Sequence, residues 1–184
     1  MTHALIDAEA LHERHGWDLP PTLIGLFDWP LAGPSHTVTI DAGLFDPSVW
    51  HNLALARGDA SLPPAVVLHS LADIADSPPA RGSVRSWLHR DGRRCIGFAL
   101  VFEGWAAPSR PGYRHGDLAK APPSSRIEMR IVAAVDRDRQ LYQVKRVRGA
   151  QTATADRSPQ PLARTAGSRI ATGLNRLVDL ARTL

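Results

Sequence analysis

RIEMRIVAAVDRDRQLYQVKRVRG, residues 126–149, is the stretch whose reading decides the fold. An apolar run, RIEMRIVAAV at 126–135, ends at the charged tetrapeptide DRDR, and QLYQVKRVR at 140–148 runs back. Two such runs joined by a short polar reversal form an antiparallel hairpin. Just upstream, RCIGFALVFEGW at 94–105 is the most apolar segment of the chain. Both of its faces are largely hydrophobic, which places it at the centre of a sheet.

Further upstream, SHTVTID at 35–41 alternates β-branched residues and reads as a strand. TLIGLF at 22–27 follows paired prolines and reads as a short edge strand. The helical segments are HALIDAEALHERHG (3–16), DPSVWHNLALARG (46–58) and SLPPAVVLHSLADIADS (61–77). Asp46 and Ser61 stand at capping positions, and prolines fill the opening turns. SPPARG forces a turn before the short basic helix SVRSWLHRDG at 83–92. The tail SRIATGLNRLVDLARTL carries an apolar stripe with interleaved arginines. The order predicts an α+β fold: a mostly antiparallel sheet of about five strands, flanking helices and a C-terminal amphipathic helix. Residues 1–150 form one domain, 151–164 a linker and 165–184 the terminal helix.

Length and composition agree. With 184 residues, 43% of them apolar, the chain suits one domain with a hydrophobic core. The start lacks the signature of a secretory signal, and the run IGFALVF is too short to span a bilayer, which points to a cytoplasmic protein without a membrane partner. The lone Cys95 allows no internal disulfide and reads as a buried small hydrophobe.

Charge is divided along the sequence. Residues 1–80 hold two bases and ten acids, a net −8, whereas residues 81–184 hold 20 bases and eight acids, a net +12. Such a split marks either a surface for polyanions or two halves of one fold that attract each other. Only Lys120 and Lys145 are lysines, so part of the arginine content reflects GC-rich coding.

Catalytic and metal signatures are absent: the chain has no HExxH, CxxC, GxSxG, GxxxxGK[ST] or GxGxxG. No cofactor or metal site is expected, and His12 and His15 read as part of a solvated helix face. Glu103 and Glu128 stand on neighbouring strands and are the weak candidates for acid–base chemistry, with a Glu128–Arg130 salt bridge the simpler account. Five tryptophans, Trp17, Trp29, Trp50, Trp87 and Trp105, supply core packing or interface anchors. The candidate binding residues are Arg126, Arg130, Tyr142, Lys145, Arg146 and Arg148 on the paired strands, with Arg110, Tyr113, Arg114 and Lys120 in the loop 106–125. Basic groups interleaved with aromatics on a sheet can follow a nucleic-acid backbone.

The runs WDLPPTLIGLF, FALVFEGW, RIVAAVDRD and QLYQVKRVRG resemble uncharacterised proteins of high-GC actinobacteria and their phages, over about residues 16–150. The resemblance implies no activity and carries no functional residue. The expected function is a small non-enzymatic binding module whose basic C-terminal half contacts an acidic protein surface or a nucleic acid. The alternatives are an enzyme using Glu103 and Glu128, and a phage-type structural or host-interaction protein forming a homo-oligomer through its terminal helix.

Overall fold

The computed structural model describes residues 1–29, 37–46, 48–56, 58, 62–106, 126–157 and 169–184. The elements run α1 (Thr2–His15), β1 (Thr22–Trp29), β2 (Thr37–Asp41), α2 (Ser48–Ala56), α3 (Pro64–Asp76), α4 (Pro78–Leu88), β3 (Arg94–Ala106), β4 (Ile127–Asp136), β5 (Leu141–Val147), β6 (Thr154–Arg157) and α5 (Arg169–Thr183). A 3-10 turn, Arg90–Gly92, links α4 to β3. Six strands form one antiparallel sheet in the order β2-β1-β3-β4-β5-β6, so the fold is α+β as the pattern predicts. Ser61, most of the basic loop (107–125) and residues 158–164 of the expected linker lie outside the described residues.

Three local expectations change. First, β1 is an interior strand between β2 and β3, and its residues 23–27 are all buried. Pro20 and Pro21 precede the strand, so they remove no ladder hydrogen bond. Second, the expected linker contains β6, which pairs Ala155 with Val144 on the outer side of β5. Third, Pro78 and Pro79 open α4 rather than a turn, since the first helical turn needs no backbone N–H from them. Ser77 closes α3 and begins α4, and its Oγ donates to the Ile74 carbonyl at 2.6 Å.

Each face of the sheet has its own core. One buries Leu23, Phe27, Phe98, Leu100, Ala133 and Val135 against α3, α4 and α5. The apolar stripe of α5, including Leu174, Leu177 and Val178, is consumed there. Each such side chain contributes about 1.5–3 kcal/mol on burial. Trp87 of α4 lies directly on β1, 4.9 Å edge-on from Phe27 and 6.3 Å from Phe98. Gly25 permits this approach, because a Cβ there would stand 2.2 Å from the indole. The other face buries Ile24, Leu26, Ala99, Val101, Val132, Ala134 and Val144 beneath Leu5 and Ala8 of α1. No described helix is long and apolar enough to cross a membrane.

Candidate functional site: the charged end of the sheet and the arginine-rich rim

Strand alternation carries the face under α1 from apolar to ionic toward one end of the sheet. Glu103, Arg130 and Arg146 form one row across β3, β4 and β5, with Arg130 opposite both of the others. In the next row Trp105 stands opposite Glu128, and the Arg148 backbone N–H donates to the Glu128 carbonyl at 3.0 Å. The last turns of α1 and the segment after it bring Glu9, Glu13, Trp17 and Asp18 over these rows.

The result is a closed ion network. Glu9, fully buried, accepts from Arg146 Nε at 2.8 Å and Nη2 at 2.7 Å, and lies 3.6 Å from Arg130 Nη1. Arg130, 1% exposed, donates to Glu13 at 2.9 Å, to Glu103 at 3.0 Å and to the Gly16 carbonyl. Its guanidinium carbon sits 4.4 Å from the centre of the Trp17 ring, a cation–π contact. Arg148 donates to Glu128 at 2.8 Å and to Asp18 at 2.9 Å, and stands 5.3 Å from the same ring. The hydrogen bonds that Arg146 donates to Glu9 hold its guanidinium above the usual arginine range, and those that Arg148 donates to Glu128 and Asp18 do the same there.

This geometry corrects the binding set. Arg130, Arg146 and Tyr142 are buried, and the Tyr142 hydroxyl donates to Asp136 at 2.8 Å, so none of the three offers a surface to a partner. The physical reason is α1, which covers that end of the sheet with carboxylates. Lys145 lies on the opposite face, 3.5 Å from Asp156. Arg148 is half-exposed but already held by two carboxylates, and Arg126 is partly buried at the start of β4. The charge split is therefore largely internal. Glu9, Glu13, Asp18, Asp28, Asp41, Asp73 and Asp76 all pair with arginines from the second half of the chain.

Glu103 and Glu128 do come together. With Asp18 they place one oxygen each within 4.8 Å of one another, the one grouping of three potential metal ligands among the described residues. Their charges are compensated: Glu103 takes Arg130 and the Asp18 backbone N–H at 2.7 Å, and Glu128 takes Arg148. The expected Glu128–Arg130 bridge gives way to these cross-strand pairs.

Positive charge survives at the opposite end of the sheet, in residues 81–94. Arg81, Arg85, Arg90 and Arg94 are exposed, while Arg93 is buried. Arg93 anchors the segment: it donates to Asp41 and to the Trp87 carbonyl, each at 2.6 Å, and stacks 3.7 Å over the Phe27 ring. Burial works against ionisation of Asp41, but Arg93 and the Gly43 N–H outweigh it and hold the carboxyl below its usual range. Each exposed arginine has a partner, and Arg81 is held by Asp76 at 2.6 Å. Arg90 is 3.8 Å from Asp41, Arg94 is 3.5 Å from Asp28, and Arg85 donates to the Leu184 carbonyl at 2.8 Å. Arg81 and Arg85 line a cleft of about 450 Å³ with Gly82, Thr183 and Leu184. The i, i+4 spacing of Arg81 and Arg85 was the available signal, obscured by reading SPPARG as a turn.

No family model matches the chain, and neither the curated proteins nor the solved structures yield a match, so geometry carries the functional argument.

Proposed function

We propose that the chain is a small binding module without catalytic chemistry, whose basic C-terminal half contacts an acidic partner, protein or nucleic acid, through the rim formed by residues 81–94. The observation that carries this reading is the exposure of Arg81, Arg85, Arg90 and Arg94, three of which pair with carboxylates at the surface, whereas Arg130 and Arg146 are buried against carboxylates of α1. Weak exposed pairs such as Arg90–Asp41 yield readily to a competing anion. The enzyme reading loses support because guanidiniums hold Glu103 and Glu128. Assembly through α5 would have to use its polar face, since its apolar stripe is buried.

The test is fluorescence anisotropy with labelled hexaglutamate and labelled oligo(dT) at low and moderate salt. The double variant Arg85→Glu/Arg90→Glu should weaken binding at least tenfold, and Arg148→Glu should change it less than twofold. For oligo(dT), affinity should fall with salt through counterion release. Equal binding by the Arg85/Arg90 variant and the parent chain would remove the proposal's support.

A further inference from the structure

We infer that a second copy of this chain pairs with the free edge of β2, the two sheets joining antiparallel about a two-fold axis at Thr39. β2 is the outermost strand on its side of the sheet. Antiparallel pairing with β1 employs the N–H and C=O of alternate residues, and those of the intervening residues point away from the sheet. Among the described residues, the backbone of Thr37–Asp41 bonds to β1 alone.

Edge strands are ordinarily blunted by brevity, charge, proline or a bulge. β6, at the other edge, follows that rule, with four residues that include Asp156 and Arg157. β2 does not. Thr37, Val38, Thr39 and Ile40 are all β-branched and uncharged, and they run against β1 without a register shift. The one charge of the strand, Asp41, is occupied by Arg93 at 2.6 Å.

The occupant follows from the order of the side chains. Ile40 packs in the core beneath α1, so Val38 shares that face, whereas Thr37, Thr39 and Asp41 share the other. An antiparallel copy that keeps like faces together sets Val38 and Ile40 opposite apolar residues, since a one-residue slip would turn them to the polar side. The register that employs all five residues places Thr39 opposite Thr39, Val38 opposite Ile40 and Thr37 opposite Asp41. It joins two β-branched apolar pairs on one face. On the other it sets a threonine pair at the axis, with a hydroxyl facing each carboxylate. The strand is thus complementary to itself, as an isologous interface requires. The two Asp41 carboxylates stand at opposite ends of the ribbon, so no like charges meet. That symmetry favours a second copy over an unrelated extended peptide, which needs only an alternating edge.

The experiment follows the molar mass of the full chain by sedimentation over a dilution series, together with Thr39→Lys, Thr39→Glu and an equimolar mixture of the two variants. The inference expects a reversible dimer for the parent and dimerisation at least about tenfold weaker for each variant alone, because position 39 then sets like charges opposite each other. The mixture should recover the dimer, since opposite charges meet at the axis. A parent chain that stays monomeric throughout overturns the second copy as the occupant. Unchanged dimerisation of either variant alone places the interface elsewhere, and a mixture without recovery overturns the register about Thr39. Hydrogen exchange of the parent keeps the test decisive if circular dichroism shows that a variant fails to fold. The β2 amides should exchange more slowly as concentration rises while those of β6 stay unchanged, and β2 exchange independent of concentration overturns the inference.

Discussion

Replacing Glu9 by Gln removes one charge from the centre of the buried network while keeping the side chain's shape. Glu9 faces Arg146 at 2.7 Å and Arg130 at 3.6 Å, and all three are buried. At an effective dielectric constant of about 20, the 2.7 Å pair alone has a gross attraction of about 6 kcal/mol. Part is retained in the variant. Arg146 keeps Glu13 at 3.7 Å and the carbonyls of Ala150 and Gln151, while Arg130 keeps Glu13 and Glu103. A loss of about 3 kcal/mol is therefore expected, at the lower end of the range for breaking one side of a buried pair. With a urea m-value of about 2 kcal/mol/M, the unfolding midpoint should fall by about 1.5 M. Replacing both partners, as Glu9→Leu/Arg146→Met, should recover stability to within about 1 kcal/mol of the parent, because no uncompensated charge remains at that pair. A Glu9→Gln loss below about 1 kcal/mol, or a double variant as unstable as the sum of its singles, would refute the reasoning.

Three further outcomes follow from the same packing. Arg148→Ala should lower the urea midpoint far less than Arg146→Ala despite its two ion pairs, because the residue is half-exposed; a loss equal to that of Arg146→Ala would contradict the burial contrast. Gly97→Ala should destabilise by at least about 2 kcal/mol, since its Cβ would stand 2.5 Å from the Val135 carbonyl oxygen, a backbone atom with no rotamer to yield; a thermal midpoint within 2 °C of the parent (a shift of about that size being negligible) would show the strands are not so close. Burial pushes the Cys95 thiol from 9.0 up to about 11, so the native state keeps a proton that the unfolded chain releases. That contribution to stability is complete below about pH 9 and is lost as pH rises through about 11, amounting to about 3 kcal/mol. The stability difference between the parent and Cys95→Ala should change over that interval, and a constant difference would place the thiol in water.

The hairpin was legible because its signals are local: apolar alternation on either side of DRDR, where Arg139 takes a positive φ of 60° and Asp136 accepts the backbone N–H groups of Asp138 and Gln140. The central position of β3 was legible because strands covered on both faces lose polar alternation. β6 was not, since TADR has no apolar period and is ordered by the free edge of β5. The fate of KRVR was illegible for a longer-range reason. Lys145, Arg146 and Arg148 are equivalent in composition, yet pairing sends Lys145 to one face, and a helix from the other end of the chain buries Arg146 and reaches only the fringe of Arg148. The exposed arginines of α4 were hidden by two prolines that signal a turn in isolation and a helix start in context.

The distance along the chain between Glu9 and Arg146 also orders events on the ribosome. The pair is separated by 137 residues. At about 5–20 residues per second, the glutamate waits about 7–27 s after its own synthesis before its partner exists. A 14-residue helix is marginal by itself in water, so the nascent N-terminus has neither its ionic clamp nor the β4–β5 surface during that time. The first element made thus completes its contacts only once β5 has emerged, and Leu5 and Ala8 wait until then for Val132, Ala134 and Val144. That delay is the interval in which chaperone capture or misassociation of this chain would occur.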